Sequence, residues 1–234
     1  MRITTLAFFA LLLMTIQLDA QKSSDVGVSL GFMNYQGDFA ESPVSLSETN
    51  FAFGATYRYF FTPQYGVRAN ILYGTLSGAD SNKDENTTRN WSFETNLLEI
   101  SVIGEWHPIG SIKLNSMGEL EPQFSPYGFI GLGMAFGESE ITTPPDDNSV
   151  LPEPDDRSSF FSIPIGLGVR YDASKYFMIS AEFGTRATFN DYLDGIGDLY
   201  TSQEGNDWYL FGGINISFLI SSDKAEKFDI RSNE

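Results

Sequence analysis

The sequence has 234 residues, a formal net charge of -17, no cysteine and one histidine. Such an acidic chain is poorly suited to a phosphate backbone, which must be met by Lys and Arg, so nucleic acid is not an expected partner. The lack of cysteine excludes disulfide scaffolds and thiolate metal sites, and it predicts no lipid-modified cysteine anchor.

In chain order, the first predicted element is a signal peptide over residues 1–20. Arg2 supplies a positive start, residues 6–16 an apolar core, and Leu18-Asp19-Ala20 a small-residue exit before Gln21. The apolar run is shorter than the roughly 20 residues of a spanning helix, and a retained N-terminal helix is the alternative.

From residue 21 to 220 the signal is alternation, with apolar side chains on one parity and small or polar ones on the other. With 22 glycines and 15% aromatics, this favours one all-β domain. The first segment sets Val26, Val28, Leu30 and Phe32 against Gly27, Ser29 and Gly31. The second sets Phe51, Phe53, Ala55, Tyr57, Tyr59 and Phe61 against Gly54, Thr56 and Arg58. In the third, Val67, Ala69, Ile71 and Tyr73 oppose Gly66, Arg68, Asn70 and Gly74. Leu98, Ile100, Val102 and Trp106 then oppose Glu99, Ser101 and Glu105, and Ile130, Leu132, Met134 and Phe136 oppose Gly131, Gly133 and Ala135. The sixth segment sets Phe161, Ile163, Ile165, Leu167 and Val169 against Ser162, Gly166, Gly168 and Arg170. The seventh sets Phe177, Ile179, Ala181 and Phe183 against Ser180, Glu182, Gly184 and Arg186. In the eighth, Leu210, Ile214, Ile216 and Phe218 oppose Gly213, Asn215 and Ser217.

The polar parity decides which face points where. It is mostly Gly, Ser and Asn, which fit the cramped interior of an eight-stranded barrel. Arg58, Arg68, Arg170 and Arg186 can pair there with Glu99, Glu105 and Glu182 as a lumenal charge network. The apolar parity, bordered by Tyr57, Tyr59, Tyr73, Trp106 and Tyr209, then reads as a lipid-facing belt with aromatic girdles. In hydrocarbon each unpaired backbone group costs several kcal/mol, so such a sheet must close. A periplasmic β-sandwich is the alternative.

The connections carry the same asymmetry. Thr62-Pro63-Gln64 and Asp172-Ala173-Ser174-Lys175 are tight turns, whereas 38–49, 78–90, 138–157 and 188–207 are long and polar. With both mature termini in the periplasm, the long loops fall outside the cell. The 108–123 connection breaks the rule, being long on the periplasmic side. Pro164 lacks the N–H that a closed ladder needs, which predicts a bulge or local gap.

No motif carries a catalytic mechanism or a metal site. The acidic, proline-rich stretch 143–156 and the trio Asp191, Asp194 and Asp198 lack the spacing of a calcium loop. The single histidine, His107, reads as a rim residue before Pro108, without a defined nucleophile partner. Asn86-Thr87-Thr88 and Asn90-Trp91-Ser92 match a glycosylation pattern that is frequent by chance. The expectation is a chain with no cofactor and no enzymatic activity.

Phe32-Met33-Asn34-Tyr35-Gln36-Gly37-Asp38 resembles the N-Y-x-G-D signature of a Bacteroidetes outer-membrane barrel family that includes the PorG-like component of the type IX secretion system. Arg89-Asn90-Trp91-Ser92-Phe93 with Leu98-Glu99, the run Ile163-Pro164-Ile165-Gly166-Leu167-Gly168-Val169, and Asp191-Tyr192-Leu193-Asp194 are similar to later patterns of that family, in order over residues 25–219. The resemblance implies an eight-stranded antiparallel transmembrane up-and-down β-barrel of the OmpA and OmpX size. It also implies outer-membrane lipid as surroundings, and periplasmic lipoprotein ring components of the secretion system as partners. Tyr35, Gly37, Asp38, Asp191, Tyr192 and Asp194 match the family motifs, as residues shaping strand-to-loop exits rather than as catalysts.

The expected function is a non-enzymatic scaffold in type IX secretion, docking partners through 108–123 and a periplasmic tail, residues 221–234. The alternative is a surface adhesion or binding barrel using the acidic loops 138–157 and 188–207. A lipid-acting membrane enzyme is a third reading, disfavoured by the lone rim histidine.

Overall fold

Alternation of large apolar and small polar residues makes eight strands whose two faces differ completely in chemistry. The computed structural model describes residues 23–36, 48–79, 91–111, 123–144, 159–174, 176–188 and 208–222. The strands are β1 (Ser23–Gln36), β2 (Thr49–Phe60), β3 (Tyr65–Ala79), β4 (Ser92–Trp106), β5 (Phe124–Thr142), β6 (Ser159–Asp172), β7 (Phe177–Thr188) and β8 (Trp208–Ser222). Each pairs antiparallel with its neighbours in sequence order, and β1 pairs with β8, so the sheet closes on itself. Closure satisfies every edge, the condition a sheet must meet in an apolar medium. The expected signal peptide, most of the long loops and residues 223–234 lie outside the described residues.

Two short connections define one end of the barrel, called here the turn end. Phe61 and Thr62 both donate backbone hydrogen bonds to the Tyr65 carbonyl, while Thr62 Oγ1 accepts from Tyr65 N at 2.9 Å. Between β6 and β7, Ser174 N donates to Phe177 O and Ser174 Oγ accepts from Phe177 N. β1 begins and β8 finishes at this same end, which also carries the long connection between β4 and β5, and the other four connections lie at the opposite end.

Pro164 leaves a gap in the ladder. The β5–β6 pairing runs from Phe124↔Tyr171 to Ile130↔Ile165 and resumes at Gly133↔Ser162 in unchanged register. On its other side Pro164 stays paired, opposite Arg186 of β7. The missing N–H thus costs contacts to β5 alone, with no shift of the strand.

Two expectations need correction. β5 continues to Thr142, so residues 138–142 are strand rather than loop, because Glu138 to Thr142 pair in register with Asn96 to Ser92 of β4. Tyr209 does not belong to the outer aromatic border. It shares the inward parity of Phe211 and Asn215 and is fully buried, while its neighbour Trp208 faces out.

The outer surface is the apolar one. Val28, Leu30, Ile71, Ile100, Val102, Ile130, Leu132, Leu167 and Ile214 are exposed, and arginines and carboxylates such as Arg58, Arg68, Glu99 and Glu105 are buried inside. Aromatic rings flank this aliphatic band at both ends. Tyr57, Phe61, Tyr65, Trp106, Phe124 and Tyr176 are exposed at the turn end, and Phe32, Phe51, Phe53, Tyr73, Phe161 and Trp208 towards the other. Beyond the second girdle the outward positions of β4 and β5 become polar, with Glu94 directly opposite Glu140.

Glycines make room for the inner side chains. A Cβ on Gly166 would sit 2.5 Å from Phe129 Cζ and closer still to the Phe183 carbonyl, so only glycine lets β6 and β7 approach beneath that ring. The loop-end half of the lumen is packed with apolar side chains, among them Met33, Tyr35, Leu72, Leu76, Trp91, Phe93, Leu97, Phe160 and Phe211. The other half is ionic.

Candidate functional site

Inward parity on successive strands delivers charged side chains to a lumen too narrow to hydrate them separately. They solve the problem by alternating in sign. Arg170 Nε meets Asp172 Oδ1 at 2.8 Å, and its Nη1 meets Asp25 Oδ2 at 3.0 Å. Asp25 Oδ1 meets Arg58 Nη1 at 3.2 Å, and Arg58 Nε donates to Glu105 Oε2 at 2.8 Å. Arg68 Nε lies 3.0 Å from Glu105 Oε1, an ion contact lacking the alignment of a hydrogen bond. Its Nη1 donates to Glu182 Oε2 at 2.7 Å, which also accepts from the Tyr127 hydroxyl at 3.1 Å. The row draws side chains from β1 through β7, tying walls that are up to 145 residues apart in sequence.

A second group sits nearer the apolar half. Glu99 accepts hydrogen bonds from Tyr209 Oη at 2.5 Å and Ser101 Oγ at 2.8 Å, with Arg186 Nε 3.6 Å away. Arg186 is held chiefly by its bond to the Gly184 carbonyl and by the face of Phe211, 4.9 Å from its guanidinium carbon. Arg170 and Arg68 likewise lie over the rings of Phe60 and Phe129. These contacts let a delocalised cation share its charge with a π-face where water is scarce. Asn215 ties β8 to the adjoining strands β1 and β2 by donating to Ser29 Oγ and Thr56 Oγ1.

All seven charged residues singled out in the sequence, Arg58, Arg68, Glu99, Glu105, Arg170, Glu182 and Arg186, are thus buried in one lumen. Asp25, Asp172, Tyr127 and Tyr209 complete their contacts and were not among them. Asp25 shares the parity of Gly27 and Ser29, and Asp172 that of Arg170, which is the signal that marks them. Tyr35 is fully buried with its ring edge-on to Phe93, 4.8 Å away, at the apolar end. Gly37, Asp38, Asp191, Tyr192 and Asp194 lie outside the described residues. Among the described residues no group of His, Asp or Glu side chains has the geometry of a metal site.

His107 sits at the turn end of the barrel, directly after β4, but it does not face solvent. The chain folds inward after β4, and the imidazole is fully buried, stacked on Tyr127 and edge-on to Phe60. Its Nδ1 lies 3.0 Å from Ser125 Oγ and its Nε2 3.3 Å from Glu105 Oε2. Burial lowers its pKa, and this outweighs the opposing pull of Glu105, so the contact with Glu105 near pH 7 is a hydrogen bond rather than a salt bridge.

A serine, a histidine and a carboxylate in a row invite comparison with a nucleophilic triad. Here Ser125 is fully buried and its Oγ lies 2.6 Å from the Gly110 carbonyl, which leaves no approach for an acyl carbon. The row instead fastens the start of the β4–β5 connection. His107 N donates to Gln64 O and Ser111 N to Pro63 O, sewing residues 107–111 to the β2–β3 turn. Gly110 takes φ 86°, a left-handed conformation that glycine adopts without strain.

A family model described as a domain of unknown function, DUF6089, matches residues 3–225 of the chain. No curated protein matches it. Among solved structures, the chain is similar to the attachment invasion locus protein Ail of Yersinia pestis, with 13% identity over 87% of this chain and 100% of that one and a TM-score of 0.43. It is also similar to the N-terminal β-barrel domain of Pseudomonas aeruginosa OprF, with 16% identity over 86% and 100% of the two chains and a TM-score of 0.42. A major outer membrane protein from Thermus thermophilus aligns with 12% identity over 84% and 99%, at a TM-score of 0.46.

Proposed function

The chain belongs to the DUF6089 family, and from its inside-out barrel we propose that it is a non-enzymatic outer-membrane protein serving as a scaffold in type IX protein secretion. The observation that carries the membrane placement is the inversion of polarity: guanidinium and carboxylate groups inside, Ile, Leu, Val and Phe outside, aromatic rings at both borders. A soluble barrel would lose free energy on both faces with this arrangement. Lipid is therefore the partner of the outer wall.

The scaffold role draws on the turn end, which in this reading faces the periplasm. There the fastened turn 107–111 presents Pro108 and Ile109 to solvent, with Ile109 60% exposed, at the root of the 108–123 connection. That connection and residues 223–234 are the segments offered to periplasmic ring components; Ser221 and Ser222, expected in the tail, belong to β8 and pair with Ser24 and Ser23. The family resemblance carried by Asn34-Tyr35-Gln36-Gly37-Asp38 supports the secretion system as the setting.

A second reading, a surface-binding barrel, draws on the exposed Glu94, Glu138 and Glu140 where β4 and β5 rise beyond the outer girdle. Crosslinking and co-purification of the tagged protein from native outer membranes separates the two. Ring components in the eluate, lost on truncation of residues 223–234 or replacement of 112–122, support the scaffold. An abundant barrel recovered without them sinks the secretion role and leaves the surface-binding one.

A further inference from the structure

The first turn of the β4–β5 connection is fastened by contacts that need one more proton than a neutral histidine can supply. Three follow one another: Gly110 O to Ser125 Oγ at 2.6 Å, Ser125 Oγ to His107 Nδ1 at 3.0 Å, and His107 Nε2 to Glu105 Oε2 at 3.3 Å. Each contact requires a hydrogen between its two atoms. The Gly110 carbonyl can only accept, and so can the Glu105 carboxylate, which faces Arg58 and Arg68. Ser125 brings one hydroxyl hydrogen and a neutral imidazole one ring hydrogen. Two hydrogens cannot serve three contacts, whereas an imidazolium brings the third.

We propose that His107 is a proton-sensitive latch: a second ring proton completes the row and pins Gly110 to β5, and its loss releases the Gly110 carbonyl from Ser125. In the released state Nε2–H still donates to Glu105, because an unprotonated Nε2 would turn its lone pair on a carboxylate. Ser125 must then donate to Nδ1, and Gly110 O keeps only the longer contact with Gln123 Nε2 at 3.3 Å. Ser125 is the switching element, rotating one hydroxyl between two acceptors.

The surroundings set the pH at which the latch works. Facing the ring are Glu105 of β4, Arg58 and Phe60 of β2, Ser125 and Tyr127 of β5, and Arg170 of β6. Burial acts most strongly and lowers the pKa, Arg170 and Arg58 lower it further, and Glu105 pulls the other way. The latch is therefore open at neutral pH and closes in acid, with a midpoint below 6.5. This inference goes beyond the scaffold reading and stands whether or not a partner docks on the connection.

The chain's single histidine makes the test direct. Full-length protein carrying ring-15N histidine is placed in phospholipid nanodiscs, and the ring nitrogens are followed from pH 8 to pH 4 beside the amide-exchange protection factors of Gly110 and Ser111. At pH 8 the proton sits on Nε2 alone. The second arrives with a midpoint below 6.5, and both protection factors rise about fivefold through the same midpoint, the equilibrium equivalent of one hydrogen bond. In Ser125→Ala the ring still titrates but protection does not follow. A midpoint at or above 6.5, a ring that stays singly protonated to pH 4, or protection that ignores the ring's midpoint overturns the latch. So does a rise in Ser125→Ala equal to that of the parent protein.

Discussion

Arg68 on β3 reaches through the barrel to Glu182 on β7, 2.7 Å between Nη1 and Oε2, joining residues 114 positions apart. Both side chains are buried, so the pair has replaced water for each partner. Removing Glu182 leaves Arg68 to share the one carboxylate of Glu105 with Arg58, and breaking a buried pair costs about 3–5 kcal/mol. Glu182→Gln should therefore lower unfolding stability in lipid vesicles by roughly that amount, while Arg68→Met with Glu182→Gln together should recover part of it. A loss in the double variant equal to the sum of the losses in Arg68→Met and Glu182→Gln alone, read from urea titrations, would show that the pair is not coupled.

The outer band predicts a depth-dependent penalty for charge. Ile100 lies mid-band on β4, opposite Ile71 and Met134, and is half exposed. Ile100→Arg should cost about 2–4 kcal/mol in a bilayer, and Glu140→Arg, beyond the girdle, about 0–1. Similar values for both variants in vesicle refolding would place the bilayer elsewhere on the wall.

Two strand glycines on opposite faces should respond oppositely to alanine. At Gly166 the new methyl meets Phe129 and the Phe183 carbonyl, and overpacking of that kind costs about 1–3 kcal/mol. At Gly104, on the outer face, the nearest atom is Ile130 O at an unstrained 3.6 Å, so the variant should be neutral or gain about 0.4–1 kcal/mol by restricting the unfolded chain. Thermal melts of the two variants side by side check the sign of each effect.

The three tryptophans report on the two borders. Trp106 is exposed at the turn end, Trp208 at the other, and Trp91 is buried in the apolar half of the lumen. In single-tryptophan variants, lipids brominated near the headgroup should quench Trp106 and Trp208 strongly and Trp91 little. Strong quenching of Trp91 would mean that its ring reaches lipid.

The alternation that puts Arg58 beside Tyr57 and Arg68 beside Val67 on opposite faces is visible in sequence, because a strand's period is two and the residue types on its faces are so unlike. Pro164 was legible as a disturbance of the ladder, a bulge or a gap, and the unchanged register on either side makes it a gap. Which carboxylate each guanidinium meets was not legible. That depends on register between strands such as β3 and β7, which never pair with one another. Tyr209 misled because an aromatic near a strand end suits a girdle as well as a lumen, although its parity with Gly213 and Asn215 marks it as inward. His107 misled for a related reason: nothing in His107-Pro108-Ile109-Gly110 announces that the chain turns inward to meet Ser125.

The gap at Pro164 gives the hoop a seam. Between Ile130↔Ile165 and Gly133↔Ser162 the wall carries no ladder pairs, while the pairs on either side keep the fifth and sixth staves joined. Pulled or heated, the cylinder should open there as a slit, its two lips held at both ends.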